Sequence, residues 1–459
     1  MNNLPVIYPQ SANSSSSTQG ENNLRILDKE ELDWYLVRTA DTFVNELQLF
    51  RKFNGEIYMR NGIIYQPLNE GLFYNLAYQY ALAEKVILKP RHCKQLLESV
   101  LIRVGESFNS PDDESYTVFK NGTFSNFDGA YIPVPASDYF PTVCVDASCY
   151  INTQLHHPIT DAFLETISGG DPELIARHWE FWGYVLSSDY HAKAIFSLFG
   201  ESGNNGKSTE LSLLRSLLPG AVDSMPIKTM TSQFGRHRLK HCRLEYSADE
   251  GAINLNSDSI AFLKSASGLD DMTANVKFKE MVQFKCKCKI AIASNYNIGM
   301  AYTAIDQAFA RRIVTLPYPY SIPKEQQDPM ILQKLLTEKD AIATEAFKHY
   351  LRLRANNYIF TGHDRFDQIQ TILTTPVNTE YMAVHDFSQK YCDFSDSTAF
   401  TSTQKLYTVF AANYQTSIKD STGFSQAFGH VNRDRIQNKR QHTSHHNIRG
   451  FTGVKLIAP

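Results

Sequence analysis

The sequence predicts an α/β protein whose central portion is a parallel sheet covered by helices. Two observations carry that reading. From Lys193 onward, the short apolar runs KAIFSLFG, IAIASN and RIVTLPY alternate with stretches of helical period. Strands buried on both faces read as continuous apolar runs, and their alternation with helices is the pattern of crossover units. The first of these runs also ends in a glycine-rich loop that opens directly into the helical stretch TELSLLRSLL. The flanks differ from this centre, with a mixed α+β segment before it and a polar, basic segment after it.

Composition sets the outer bounds. The chain has 459 residues, 42 % apolar and 20 % charged, which is ordinary globular usage and excludes a mostly disordered chain or a long coiled coil. At roughly 100–200 residues per domain, about three domains are expected. No uninterrupted apolar run reaches about 18 residues, so no transmembrane helix and no membrane partner is expected. MNNLPVIYPQ lacks a basic segment followed by an apolar one, so no secretory signal is expected either. The net charge of −3 means that any nucleic-acid contact must come from a local basic surface. The seven cysteines, Cys93, Cys144, Cys149, Cys242, Cys286, Cys288 and Cys392, include no CxxC pair. That argues against a disulfide framework and a structural zinc site, and for a reducing cytoplasm. Cys286 and Cys288, two apart on a strand, read as buried thiols on one face.

In chain order, residues 1–25 contain SANSSSSTQG and read as a disordered tail. Residues 26–170 form the N-terminal α+β domain. Leu32, Tyr35, Leu36, Phe43, Leu47 and Phe50 recur at three- and four-residue steps and predict a helix over 27–51. IYMRNGIIYQPL (57–68) predicts a hairpin around Asn61-Gly62. Residues 70–104 look helical, and 117–134 predict strands with turns at Asn121-Gly122 and Asp128-Gly129. Asp171-Pro172 is a helix start, with Asp171 as cap and proline in the first turn. The sheet-bearing domain spans 171–345, a helical linker spans 346–387, and residues 388–459 form a basic terminal domain.

The strongest motif is Gly200-Glu-Ser-Gly203-Asn204-Asn205-Gly206-Lys207-Ser208-Thr209. Strand, glycine loop and helix in that order are the context of a phosphate-binding loop. Glycines let backbone N–H groups of Gly203 to Gly206 turn toward phosphate oxygens, and the helix N-terminus adds partial positive charge. Lys207 would reach the terminal phosphates and Ser208 would offer a hydroxyl to Mg²⁺, with Thr209 beside it. The spacing departs from the usual one. Gly200 lies one residue further from Gly206-Lys207 than expected, so either the loop is one residue longer or Glu201 stands where a glycine usually does.

Three further pieces suit the same chemistry. RLEYSADEG supplies Asp249 for the metal and Glu250 to polarise water, although Arg243 and Glu245 interrupt what should be an apolar strand. KIAIASN ends in Asn295, an amide that could reach the γ-phosphate and the attacking water. Arg311 and Arg312 immediately precede the apolar run IVTLPY, where an arginine could enter a neighbouring subunit's site.

In this order the blocks GESGNNGKST, SADE, IAIASN and FARRIVTLPY (within residues 196–318) resemble a superfamily 3 helicase of the AAA+ class. They come closest to the phage, plasmid and poxvirus primase-helicase branch. The resemblance implies an AAA+ P-loop ATPase core, with ATP and Mg²⁺ as cofactors. It implies a homo-hexameric ring around single-stranded DNA and unwinding of forked DNA in replication of a mobile element. TANVKFKEMVQF (273–284) resembles that branch's channel hairpin, which puts Lys277, Phe278 and Lys279 on single-stranded DNA; lysines flanking an aromatic suit phosphate contact and base stacking. Arg312 matches the finger position better than Arg311. FKNGTFSNFDGAYIPVPASDYFPT with WEFWGYVL is similar to the domain preceding the ATPase. STQKLYTVFAANYQ, FSQAFGHVNRDRIQNKR and GFTGVKL resemble a C-terminal winged helix, with a recognition helix near 423–432 and a wing over 435–451. There Arg433, Arg435, Lys439 and Arg440 would contact DNA phosphate.

Many relatives carry a primase domain upstream. The segment before residue 110 is too short for one, so no primer synthesis is expected, and a separate primase or polymerase becomes a candidate partner. The main alternative is an initiator that uses ATP only as an assembly switch. A P-loop ATPase that acts on protein or packages DNA is a third reading; no nuclease domain supports it.

Overall fold

The computed structural model describes residues 24–53, 55–105, 112–133, 140–200, 203–232, 235–250, 254–274, 282–295, 298–300, 307–367, 379–416, 418–432, 435–442 and 447–457. The first helix, α1 (Lys29–Asp41), starts at a capping box: the Asp28 carboxylate accepts from the Glu31 N–H while Glu31 reaches back to the Asp28 N–H. The chain leaves helix earlier than its apolar spacing predicts. Phe50–Phe53 is strand β1, antiparallel to β2 (Glu56–Asn61), because pairing Phe50 with Met59 buries both. The hairpin from β2 to β3 (Ile64–Pro67) forms as read, with Asn61 opposite Ile64 and Gly62 at φ +64° in its tight turn. The helical stretch 70–104 is two helices, α2 (Glu70–Ala83) and α3 (Pro90–Arg103), because Pro90 ends any helix before it and begins a new one. These elements close a core of their own around Leu36, Phe43, Phe73, Leu96 and Val100.

The strands β4 (Tyr116–Phe119) and β5 (Gly122–Ser125) and the helices α4 (Pro158–Ser168) and α5 (Pro172–Leu186) share a core with the central parallel sheet. The α5 start is as predicted: the Asp171 carboxylate accepts from the N–H of Glu173 and Leu174, and Pro172 fills the first turn.

The central sheet has five strands. Its members in chain order are β6 (Ile195–Phe199), β7 (Val222–Ser224), β8 (Leu244–Glu250), β9 (Lys289–Ser294) and β10 (Ile313–Pro317), and α6 (Lys207–Leu217) follows β6. Across the sheet the order is β10-β6-β9-β8-β7, and every pairing is parallel. Apart from Lys289, β9 is apolar or small and buried throughout (KIAIAS), as a central strand must be. The register aligns Phe199 with both Ser294 and Pro317, and Ser294 with Glu250, so the carboxyl ends of four strands form one edge. Between Ile292 and Ser294 the β8–β9 register shifts by one, a bulge at that edge.

Helix α7 (Lys339–Ala355) crosses residue 345 without a break and lies along α5. The two approach so closely that a Cβ on Gly183 would collide with the Ala346 carbonyl, so glycine is required there. The terminal region builds α8 (Thr379–Tyr391), α9 (Thr403–Asn413) and α10 (Ser421–Val431) against an antiparallel sheet. That sheet comprises β11 (Phe400–Ser402), β12 (Gln437–His442) and β13 (Asn447–Thr452), with Phe387, Phe410, Phe424, Phe428 and Phe451 at the centre. All seven cysteines are free thiols. Among the described residues, no helix is long and apolar enough to cross a membrane.

Candidate functional site

The candidate site lies at the carboxyl edge of the sheet, where β6 and β9 end side by side. From β6 the chain leaves toward β7 at one border, and from β9 it passes to β10 on the other side of β6. Neighbouring strands whose connections depart in opposite directions leave a crevice between them, which is where ligands of open parallel sheets settle. Gly200 directly follows β6, Asn295 directly follows β9, and Tyr318 directly follows β10.

The loop into α6 is held from several directions. The Gly200 N–H donates to the Ser294 carbonyl at 3.3 Å, the Tyr318 N–H to the Phe199 carbonyl at 2.6 Å and the Ile322 N–H to the Asn204 carbonyl at 2.8 Å. The Ser321 hydroxyl donates to the Gly203 carbonyl at 2.9 Å. Two positions need what the sequence supplies. Asn204 takes φ +56°, which asparagine tolerates. Gly206 takes φ +93°, and a Cβ there would collide with Ile167 of α4, so conformation and space both demand glycine. Gly200 is equally confined, between Asn205 and Tyr318, whereas Gly203 faces open space.

Lys207 is the first residue of α6, and its side chain is buried. Its ammonium donates to the Asn295 carboxamide oxygen at 3.0 Å and to the Gly200 carbonyl at 3.2 Å, and lies 5.8 Å from the Tyr318 ring centroid. The structure therefore brings together Lys207 and Asn295, 88 residues apart in sequence. Ser208 is exposed and Thr209 half-buried in the first turn of α6. The backbones of Asp249 and Glu250 end β8, with Glu250 opposite Ser294; their side chains lie outside the described residues.

The two arginines before β10 differ. Arg312 is half-buried: its guanidinium donates to the Ser267 hydroxyl at 2.9 Å and to the Lys264 carbonyl, at the end of the helix Ser257–Gly268. Arg311 is exposed. Lys277, Phe278, Lys279 and Arg433 lie outside the described residues, as does the Arg440 side chain. Lys439 and Arg435 are exposed, and the Arg435 guanidinium sits 5.4 Å from the Phe394 ring centroid.

Sequence reasoning missed the group behind the loop. Glu210, fully buried, accepts from the Trp182 indole N–H and the Tyr318 hydroxyl, and lies 2.9 Å from His178 Nδ1. The one available signal was an acidic residue one helical turn beyond Lys207, on the side that carries Leu211 and Leu214 into the core.

Residues 198–312 match a family of unknown function, DUF5906, a span that runs from the end of β6 to Arg312. No curated protein matches the chain. An apo structure of the NrS-1 C-terminal region is similar in fold at a TM-score of 0.52 and 11 % identity, over 93 % of this chain and 100 % of that one. The A-form apo structure of the same region gives a TM-score of 0.50 at 12 % identity, over 91 % and 98 % of the two chains.

Proposed function

We propose that the protein is a Mg²⁺-dependent ATP hydrolase with an AAA+ core that works as a ring-forming DNA helicase in replication. The observation that carries the nucleotide reading is Lys207, at the start of the helix that follows a central parallel strand, bonded to Asn295 at the end of the neighbouring strand. An ammonium aimed into the crevice, a glycine-shaped loop and a helix N-terminus make a donor set for a polyphosphate. The helicase reading rests on the order of the sequence blocks.

In this reading the backbone N–H groups from Gly203 to Lys207 cradle the β-phosphate. Lys207 gives up its Asn295 and Gly200 partners to meet the terminal phosphate. Ser208 and Asp249 would hold Mg²⁺, which when bound neutralises phosphate charge. Glu250 accepts a hydrogen bond from the attacking water, and Asn295 orients it. Arg311 enters the neighbouring protomer's site in trans, since it is exposed while Arg312 is engaged within its own chain. Lys277, Phe278 and Lys279 line the ring's channel on single-stranded DNA. The terminal helices and the β12–β13 hairpin fit a winged helix that meets duplex DNA phosphate through Arg433, Arg435, Lys439 and Arg440. Primers would come from a separate primase or polymerase.

Lys207→Ala is expected to abolish ATP hydrolysis while the protein still melts as a folded unit. A variant that hydrolyses ATP at the wild-type rate would remove the site. Displacement of a strand from a forked duplex separates the helicase from the ATP-switched initiator, and loss of displacement in Lys277→Ala/Lys279→Ala ties unwinding to the channel hairpin.

A further inference from the structure

Glu210 lies one helical turn beyond Lys207, and its side chain is fully buried. A carboxylate in such a place is sustained only by donors that converge on it. Here they come from two other elements. Trp182 and His178, both on α5, meet one oxygen, and the Tyr318 hydroxyl, one residue past β10, meets the other. The His178 and Tyr318 rings also pack edge to face, with centroids 5.2 Å apart.

Tyr318 in turn shapes the loop. Its N–H donates to the Phe199 carbonyl, its own carbonyl lies 2.9 Å from where a Cβ on Gly200 would stand, and its ring lies beside the Lys207 ammonium. A hydroxyl held by Glu210 fixes the tilt of that ring. The ring's face is then a resting place for the ammonium.

We propose that Glu210 and Tyr318 are a positioning pair for nucleotide binding: the buried carboxylate orients the tyrosine, and the tyrosine presets the phosphate loop and the aim of Lys207. The inference rests on the nucleotide reading and deepens it. Neither residue needs to touch the nucleotide. The pair acts before phosphate arrives, so removing it should weaken binding and leave the chemical step largely alone.

The test uses the full chain and the fluorescent probe N-methylanthraniloyl-ATP with Mg²⁺, alongside steady-state hydrolysis of ATP. Tyr318→Phe keeps the ring and removes the hydroxyl. It should raise Kd and KM about tenfold, the size of one lost hydrogen bond to a charged group, while kcat changes less than about threefold. Glu210→Gln should weaken binding similarly on its own and add less than about twofold on the Tyr318→Phe background, because both act through one contact. A merely structural pair would lower the melting temperature without that split or that non-additivity.

Binding and KM within about twofold of wild type in Tyr318→Phe, or effects that simply add in the double variant, overturn the inference. If Glu210→Gln does not fold, Tyr318→Phe decides alone. Equal nucleotide binding by wild type and Lys207→Ala overturns the site itself and the inference with it. Binding lost in Lys207→Ala but intact in Tyr318→Phe overturns the inference only.

Discussion

Two buried carboxylates in the sheet-bearing domain have opposite surroundings. Glu210 has a donor on each oxygen. Glu245, the second residue of β8, is just as buried, yet among the described residues only the weak Cys242 thiol stands as a hydrogen-bond donor beside it. Burial pushes the Glu245 carboxyl up to about 7, an effect that Arg238 and Cys242 only partly offset. Lys289, on the adjacent strand, is pushed by burial as well, its ammonium held well below the usual lysine range although it has an acceptor. Its ammonium donates to the Ser187 carbonyl at 2.6 Å between the rings of Tyr184 and Tyr190. The contrast teaches that burial alone does not mark a functional charge. A carboxylate whose donors come from the elements around the candidate site belongs to that arrangement, whereas one with only a weak donor has its ionised form disfavoured by burial.

Three measurements sharpen that contrast, the largest effect first. Glu210→Ala strands the Trp182 and Tyr318 donors and should lower the unfolding free energy by about 3–5 kcal/mol, as breaking a buried polar network does. Chemical denaturation that shows a loss below about 1 kcal/mol would mean that the network is not a unit.

Glu245 should act through pH. Its folded-state pKa lies above its unfolded value, so the stability it contributes is fully present below about 4.5 and is lost as pH rises through about 7. Glu245→Gln should therefore melt at a higher temperature than wild type at pH 8 and flatten the fall in stability between pH 5 and 8. Parallel pH profiles for the two proteins would contradict the assignment.

The smallest effect on stability is expected at the paired arginines. Arg312→Ala removes the bonds to Ser267 and Lys264 and should destabilise by about 1 kcal/mol. Arg311→Ala should stay within about 0.5 kcal/mol of wild type. If Arg311 is the residue that reaches the neighbouring protomer, its variant nevertheless loses ATP hydrolysis. Full activity in Arg311→Ala, with loss in Arg312→Ala, would return the role to Arg312.

Legibility followed sequence distance. The helix start at Asp171-Pro172, the hairpin at Gly62 and the strand–loop–helix around Lys207 depend on residues within a few positions of each other, and they could be read directly. The helix expected through Arg51 instead ends by Glu46, and Phe50 opens a strand set by a cross-strand partner nine residues on, Met59. Arg243 and Glu245 looked like reasons to doubt a strand, yet β8 buries Glu245, and Arg243, buried just before it, approaches Asp112 at 3.8 Å across a long stretch of chain. The bonds that engage Arg312 were not legible either, because the helix end that supplies them lies far from it in sequence.

The sequence alone determined the parallel α/β centre, the glycine-rich strand–loop–helix around Lys207 and the helix start at Asp171-Pro172. Each of these follows from periodicity or from backbone conformations that only certain residues adopt. Only the tertiary structure decided that Lys207 meets Asn295, and that Glu210, 108 residues before Tyr318, holds it against the loop. Such contacts arise where strands from distant parts of the chain end at one edge of a sheet. That meeting is set by strand order, and strand order becomes visible only when the whole core is assembled.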